Sequence, residues 1–256
     1  MKLKALGSII EWSDWDLTEN DLYSGMFDYW DHWESIDPRL TSHYTVLSAA
    51  SDAFGHDIVN LATFTHEILN WLDQSRIQDA RSVVAVSAMT EAFMYTVRTA
   101  CDVIASALAE YASEKPGQVP KNGLRDLLSW SQKNETRLRP AVTKVLTSDF
   151  DWFWKLRSFR DALAHRGANA NIASDGRQFY LWLYGQHGWI TREPLLPLIN
   201  DQLRKLLSFA DQSAHAINLI IGMPADRIKS RVLHGILIPS LHDLSREAPN
   251  YSNPSP

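Results

Sequence analysis

Cysteine is almost missing from this chain: Cys101 is the only one in 256 residues. No intramolecular disulfide can form, and a reducing compartment, the cytoplasm, is the expected location. No apolar run approaches the roughly 18 residues that a membrane span requires. The opening MKLKALGSIIEW carries two lysines but only a stub of apolar sequence and no small-residue cleavage site, so neither a signal peptide nor a membrane partner is expected. There is no Gly-rich phosphate loop, no Walker pattern, no GxSxG and no CxxC pair. Those absences argue against a nucleoside triphosphatase, an α/β-hydrolase and a dithiol redox enzyme. HExxH is absent too, and His56, His66 and Glu67 do not have zinc-ligand spacing. No metal and no cofactor is expected.

What is present suits a folded, mostly helical domain. Apolar residues make up 45% of the chain and charged residues 21%, which excludes a disordered or collagen-like chain. The net charge of −5 is unevenly spread. Residues 5–37 hold nine acids and no Lys or Arg, and Trp12, Trp15, Tyr23, Phe27, Tyr29, Trp30 and Trp33 are interleaved with them. Residues 1–45 therefore read as an acidic, aromatic arm, and so many large rings imply that it docks on the body or on a neighbouring subunit. Residues 121–166 run the other way, with ten bases against five acids. Such a stretch suits a polyanion, although a solvated helix face has the same composition.

Periodicity predicts the elements. Leu47, Phe54, Ile58, Leu61, Ile68 and Trp71 predict a helix over 46–74. Val86, Met89, Phe93, Val97, Ala100, Ile104, Leu108 and Tyr111 advance by steps of three or four, which keeps one face apolar until Pro116, Gly117 and Pro120 end the helix. Shorter helices are expected over 121–134 and 138–147. Another follows over 149–165, capped by Ser148 or Asp149 and stopped by Gly167. Around Asp175-Gly176 the pattern changes to a single small β-hairpin, 171–184. A last long helix follows over 196–222, then a short basic helix and a polar tail. The expected fold class is all-α: an antiparallel helical bundle with one small β-hairpin. Its boundaries are an arm over 1–45, a helical domain over 46–235 and a tail over 236–256.

One motif carries chemistry. Residues 157–167 read RSFRDALAHRG, and within them Arg160 and His165 form an Arg-x4-His pair with a polar Asp161 after the arginine. A second Arg-x6-His, Arg227 to His234, has Ile228 in that position and no strand after it. The segment RDALAH and its setting over about 46–222 resemble the HEPN family, the higher eukaryote and prokaryote nucleotide-binding domains. The shared setting is two long antiparallel helices, the motif on a later helix, a short β segment and a further helix. The arm has no part in the likeness, and Asp161 stands where Asn is frequent, which adds negative charge beside the motif. The resemblance implies a metal-independent endoribonuclease, a toxin or antiviral-defence effector, acting as a homodimer with a composite site. RNA is then the substrate, and a cognate antitoxin or defence protein a further partner. It equally admits a non-catalytic module that binds a nucleotide, RNA or a protein.

The residues themselves suit that chemistry. Asp161 and His165 are one turn apart, so the carboxylate can orient the imidazole. The last-turn position and Asp161 both favour the imidazolium and are expected to raise its pKa. Arg160 on the adjoining face offers bidentate donors to a phosphate. Arg157 and Asp161 share the same one-turn relation, which suits a salt bridge as well as a phosphate contact. Arg166, Arg157, Glu91 and Arg98 are further substrate-binding candidates, with Glu91 and Arg98 expected as a polar pair on the long helix. Tyr180, Trp182 and Tyr184 on the hairpin suit packing against the bundle, or stacking of bases.

Overall fold

The computed structural model describes residues 2–5, 8–11, 41–73, 80–165, 169–174, 179–185 and 188–222. The expectations for the aromatic stretch 12–40, for Arg166 and Gly167, and for the basic helix and tail beyond Gly222 lie outside them. So does the side chain of His165, although its backbone closes a helix.

Two long helices, α1 (Thr41–Asp73) and α2 (Ala80–Tyr111), pack on each other. At about 1.5 Å rise per residue each is roughly 50 Å long. They run antiparallel, because the Tyr111 hydroxyl at the end of α2 lies 3.1 Å from His43 Nδ1 at the start of α1. Their facing stripes are the apolar positions read from the periodicity. Leu47, Phe54, Ile58, Leu61 and Ile68 are buried on α1, and Val86, Phe93, Val97, Ala100, Ile104 and Leu108 on α2. Cys101 is wholly buried in this seam, and burial pushes its thiol well above the ordinary value. Helix α1 starts at Thr41, inside the stretch assigned to the arm. Its apolar repeat begins only at Leu47, so its first turns carry no periodic signal.

Shorter elements close the core. Helices α3 (Leu124–Lys133), α4 (Pro140–Leu146) and α5 (Asp151–His165) follow. Pro140 opens α4, where its missing N–H costs nothing, and Ser148 donates to the Val145 carbonyl at its end. At the start of α5 it is Asp149, not Ser148, that accepts a backbone N–H, that of Asp151 at 2.9 Å. The last helix, α6 (Leu195–Ile220), buries Leu198, Leu203, Leu206, Ala210 and Ile217 against α2 and α4. It stops where Gly222 adopts φ 74°, a left-handed conformation suited to glycine.

The β content exceeds the expected single hairpin. With β1 (Lys2–Ala5) and β2 (Ser8–Glu11) forming an antiparallel pair near the N-terminus, the later strands are β3 (Asn169–Ser174), β4 (Phe179–Gly185) and β5 (Gly188–Pro194). These three make one antiparallel sheet in the order β3-β4-β5. Strand β5 reads GWITREP; two charges and a terminal proline hide its strand character, and its conformation is supplied by the ladder to β4. Strands β3 and β4 pack on the bundle as expected, but through aliphatic side chains rather than through Tyr180 and Trp182. Ala170, Ile172, Leu181 and Leu183 turn to the core and are buried. Tyr180 and Trp182 alternate to the other face, where Arg192 of β5 lies 3.7 Å from the Tyr180 ring centroid. Period-two alternation decides this: residues 181 and 183 share one face and 180 and 182 the other.

Among the described residues the chain is thus mostly helical, with six α-helices and small antiparallel sheets. No described helix is long and apolar enough to cross a membrane.

Candidate functional site

The motif helix α5 is anchored by Phe153, Leu156, Phe159 and Ala162, all buried. Their spacing of three residues leaves Arg157, Arg160 and Asp161 on the flank, partly exposed. There the Arg157 Nε–H donates to Asp161 Oδ2 at 3.2 Å and an Arg160 Nη1–H to Asp161 Oδ1 at 3.0 Å. One carboxylate holds both guanidinium groups. Burial works to raise the Asp161 carboxyl, but the hydrogen bonds and charges of Arg160 and Arg157 outweigh it and hold the group below the ordinary carboxylate value. Asp161 therefore stays ionised across the neutral range. Each of its oxygens retains acceptor capacity beyond one arginine bond, so the expected support of His165 is compatible with this pairing.

The opposite wall comes from α2 and α3. Arg98 of α2 pairs with Asp102 one turn on, and its guanidinium carbon sits 4.9 Å from the Phe153 ring centroid of α5. Asp102 does a second job: its Oδ1 accepts the Leu124 N–H at 2.8 Å, satisfying an orphan donor at the start of α3 from another helix. The contact is so close that Gly123 is required. A Cβ there would fall 2.7 Å from Asp102 Cγ, and the residue has φ 130°. With the loop pinned this way, Asn122, Arg125 and Asp126 face Arg157 and Arg160 across an open cleft of about 290 Å³, with Tyr95 and Thr99 completing its lining.

Four of the candidate residues, Arg98, Arg157, Arg160 and Asp161, thus line one cleft. Glu91 is not among its lining residues. Its Oε1 accepts the Ala170 N–H at 3.4 Å and so ties α2 to β3. The expected Glu91–Arg98 pair does not form, because seven residues of helix separate the two by about 10 Å along the axis, whereas Asp102 is only one turn from Arg98. Arg166 and the His165 side chain lie outside the described residues. The sequence reading missed Tyr95, Thr99, Asp102, Asn122, Arg125 and Asp126. A signal existed for Asp102 in its spacing of four from Arg98, and for Arg125 in the basic stretch 121–166.

Four guanidinium groups and three carboxylates give the cleft a small positive excess. Each of its carboxylates contacts at least one of its arginines. Guanidinium has five N–H donors in a planar fork, a geometry that can meet more than one oxygen acceptor at once. Among the described residues, no group of three His, Cys, Asp or Glu is placed to hold a metal ion. The cleft arginines offer oriented cationic hydrogen bonding, suited to phosphate oxygens. No protein-family model matches the chain, and neither curated proteins nor solved structures yield a match.

Proposed function

We propose that this protein is a metal-independent endoribonuclease of the HEPN type, and that the arginine cleft receives the scissile phosphodiester. The observation that carries the reading is the convergence of Arg98, Arg125 and Arg157 on Arg160, the motif arginine, in one open cleft. In the reaction the His165 imidazole takes the proton of a ribose 2′-hydroxyl, and the 2′-oxygen attacks the adjacent phosphorus. The bond from phosphorus to the 5′-oxygen breaks, and the leaving oxygen takes a proton from an imidazolium. The products are a 2′,3′-cyclic phosphate and a 5′-hydroxyl. Arg160 stabilises charge on the non-bridging oxygens, and Asp161 holds Arg160 and Arg157 in place. The ribose supplies the nucleophile, so the scheme requires no metal. A homodimer with two such motifs in one cleft would supply the base and the acid from separate histidines. A toxin or defence role, with a cognate partner, belongs to the same proposal.

One feature favours a second reading, a binding module without turnover. The cleft arginines are held by the carboxylates that share the cleft, which is how a structural network or a static anion site is built. Incubating RNA with the full-length protein in EDTA separates the two readings. The enzyme reading expects 2′,3′-cyclic phosphate ends, lost in His165→Ala and Arg160→Ala while the melting temperature of each variant stays within a few degrees of the parent. Cleavage that persists in purified His165→Ala overturns the mechanism. Binding without cleavage in the parent protein selects the module.

A further inference from the structure

Tyr95 is out of keeping with the rest of the cleft. Every other lining group is charged or a small polar side chain, whereas Tyr95 projects a phenol ring from α2 with 37% of its surface exposed. Its helix neighbours explain the position: residues 95, 98, 99 and 102 share the stripe of α2 that faces α5 and the start of α3. Among the described residues no ring contact or side-chain hydrogen bond engages the Tyr95 ring. On the facing wall Asn122 is exposed and lines the same space, with its loop held by the Asp102 bond to the Leu124 N–H and by the close approach of Gly123. A side-chain amide carries both donors and an acceptor. Here it is presented from a pinned segment.

We infer that Tyr95 and Asn122 form a nucleobase subsite beside the phosphate-binding arginines, so that the cleft takes single-stranded nucleic acid with one base unstacked onto the Tyr95 ring. This rests on the phosphate reading of the same cleft and goes beyond it by naming what lies next to the phosphate. The arginines alone accept any polyanion, including inorganic polyphosphate or a duplex backbone. An exposed ring adds nothing to a bare phosphate chain, but stacks on any base that is free of its neighbours. A base held in a duplex cannot reach it. The Asn122 amide is placed to meet polar groups on the base edge and to bias which base is held.

The test uses the full chain and 2′-O-methyl octauridylate, whose capped 2′-oxygen prevents cleavage, with fluorescence anisotropy as the readout. An abasic backbone of the same length and charge, and inorganic polyphosphate, serve as controls. The parent protein is expected to bind octauridylate about tenfold more tightly than the abasic chain, within the range that aromatic stacking supplies. Tyr95→Ala should erase that ratio and leave polyphosphate affinity unchanged, while Tyr95→Phe keeps it. Asn122→Ala should narrow the difference between octauridylate and octaadenylate. Equal affinity of the parent for octauridylate and the abasic chain overturns the subsite, as does a base preference that survives in Tyr95→Ala. Failure of every probe to bind at low salt overturns the phosphate reading itself, a result distinct from loss of the base preference.

Discussion

Replacing Gly123 by alanine tests the tie that connects the fold to the cleft. Two costs add. The backbone at φ 130°, ψ 176° belongs to a region that is essentially reserved for glycine, and holding another residue there costs about 1–3 kcal/mol. The new Cβ would also fall 2.7 Å from Asp102 Cγ, which forces the carboxylate away from the Leu124 N–H. Losing a hydrogen bond to a charged acceptor costs about 1.5–3 kcal/mol. Together Gly123→Ala should lose roughly 3–5 kcal/mol, and the melting point should fall by about 10 °C. Urea denaturation of the parent, Gly123→Ala, Asp102→Ala and the double variant isolates the shared contact. Because the Asp102–Leu124 bond can be lost only once, the double variant should cost less than the sum of the singles by about 1.5–3 kcal/mol. Additivity within about 0.5 kcal/mol, or a cost of Gly123→Ala below about 1 kcal/mol, would refute the claim that Asp102 caps α3.

Asp57 is buried in the α1–α2 seam near Cys101, its Oδ2 has no partner among the described residues, and burial raises its carboxyl to about 6. The folded state therefore prefers the protonated form. The associated stability is complete below the ordinary value of 3.8 and is lost as pH rises through about 6. Urea titrations at pH 4 and pH 7 should show Asp57→Asn losing about 2–3 kcal/mol less than the parent over that interval; parallel losses in the two proteins would sink this assignment. Arg98→Ala should weaken octauridylate binding and lower its salt slope by about 1. Glu91→Ala should leave binding alone and cost about 1 kcal/mol of stability, since its bond is to Ala170 of β3. Equal effects of these two substitutions on binding would remove the distinction between the cleft and the β3 tie.

The parts of the fold readable in advance are those governed by neighbours within a few residues. The buried face of α2 follows from steps of three and four. The Arg157–Asp161 pair follows from a spacing of one turn, and strand β4 from the run of aromatic and branched residues that begins at Phe179. Strand β5 was not readable, because Arg192, Glu193 and Pro194 look like loop residues until a partner strand supplies their conformation. Glu91 was drawn to the site by its position on the Arg98 stripe, yet nothing within α2 announces that β3 will lie beside it and present the Ala170 N–H.

Local pattern alone determined a helix-rich chain with two long helices, each with an apolar stripe, and it put Arg160, Asp161 and His165 along a single helix end. The cleft needed the third dimension. Asp102 and Leu124 are 22 residues apart, and Arg125 meets Arg160 only because α3 and α5 approach the same stripe of α2. Periodicity records which face of a helix avoids water, but not where that face meets the next helix or at what angle. Packing of the buried Phe153 against Arg98, and the space that Gly123 leaves for a carboxylate, decided which charges share a wall.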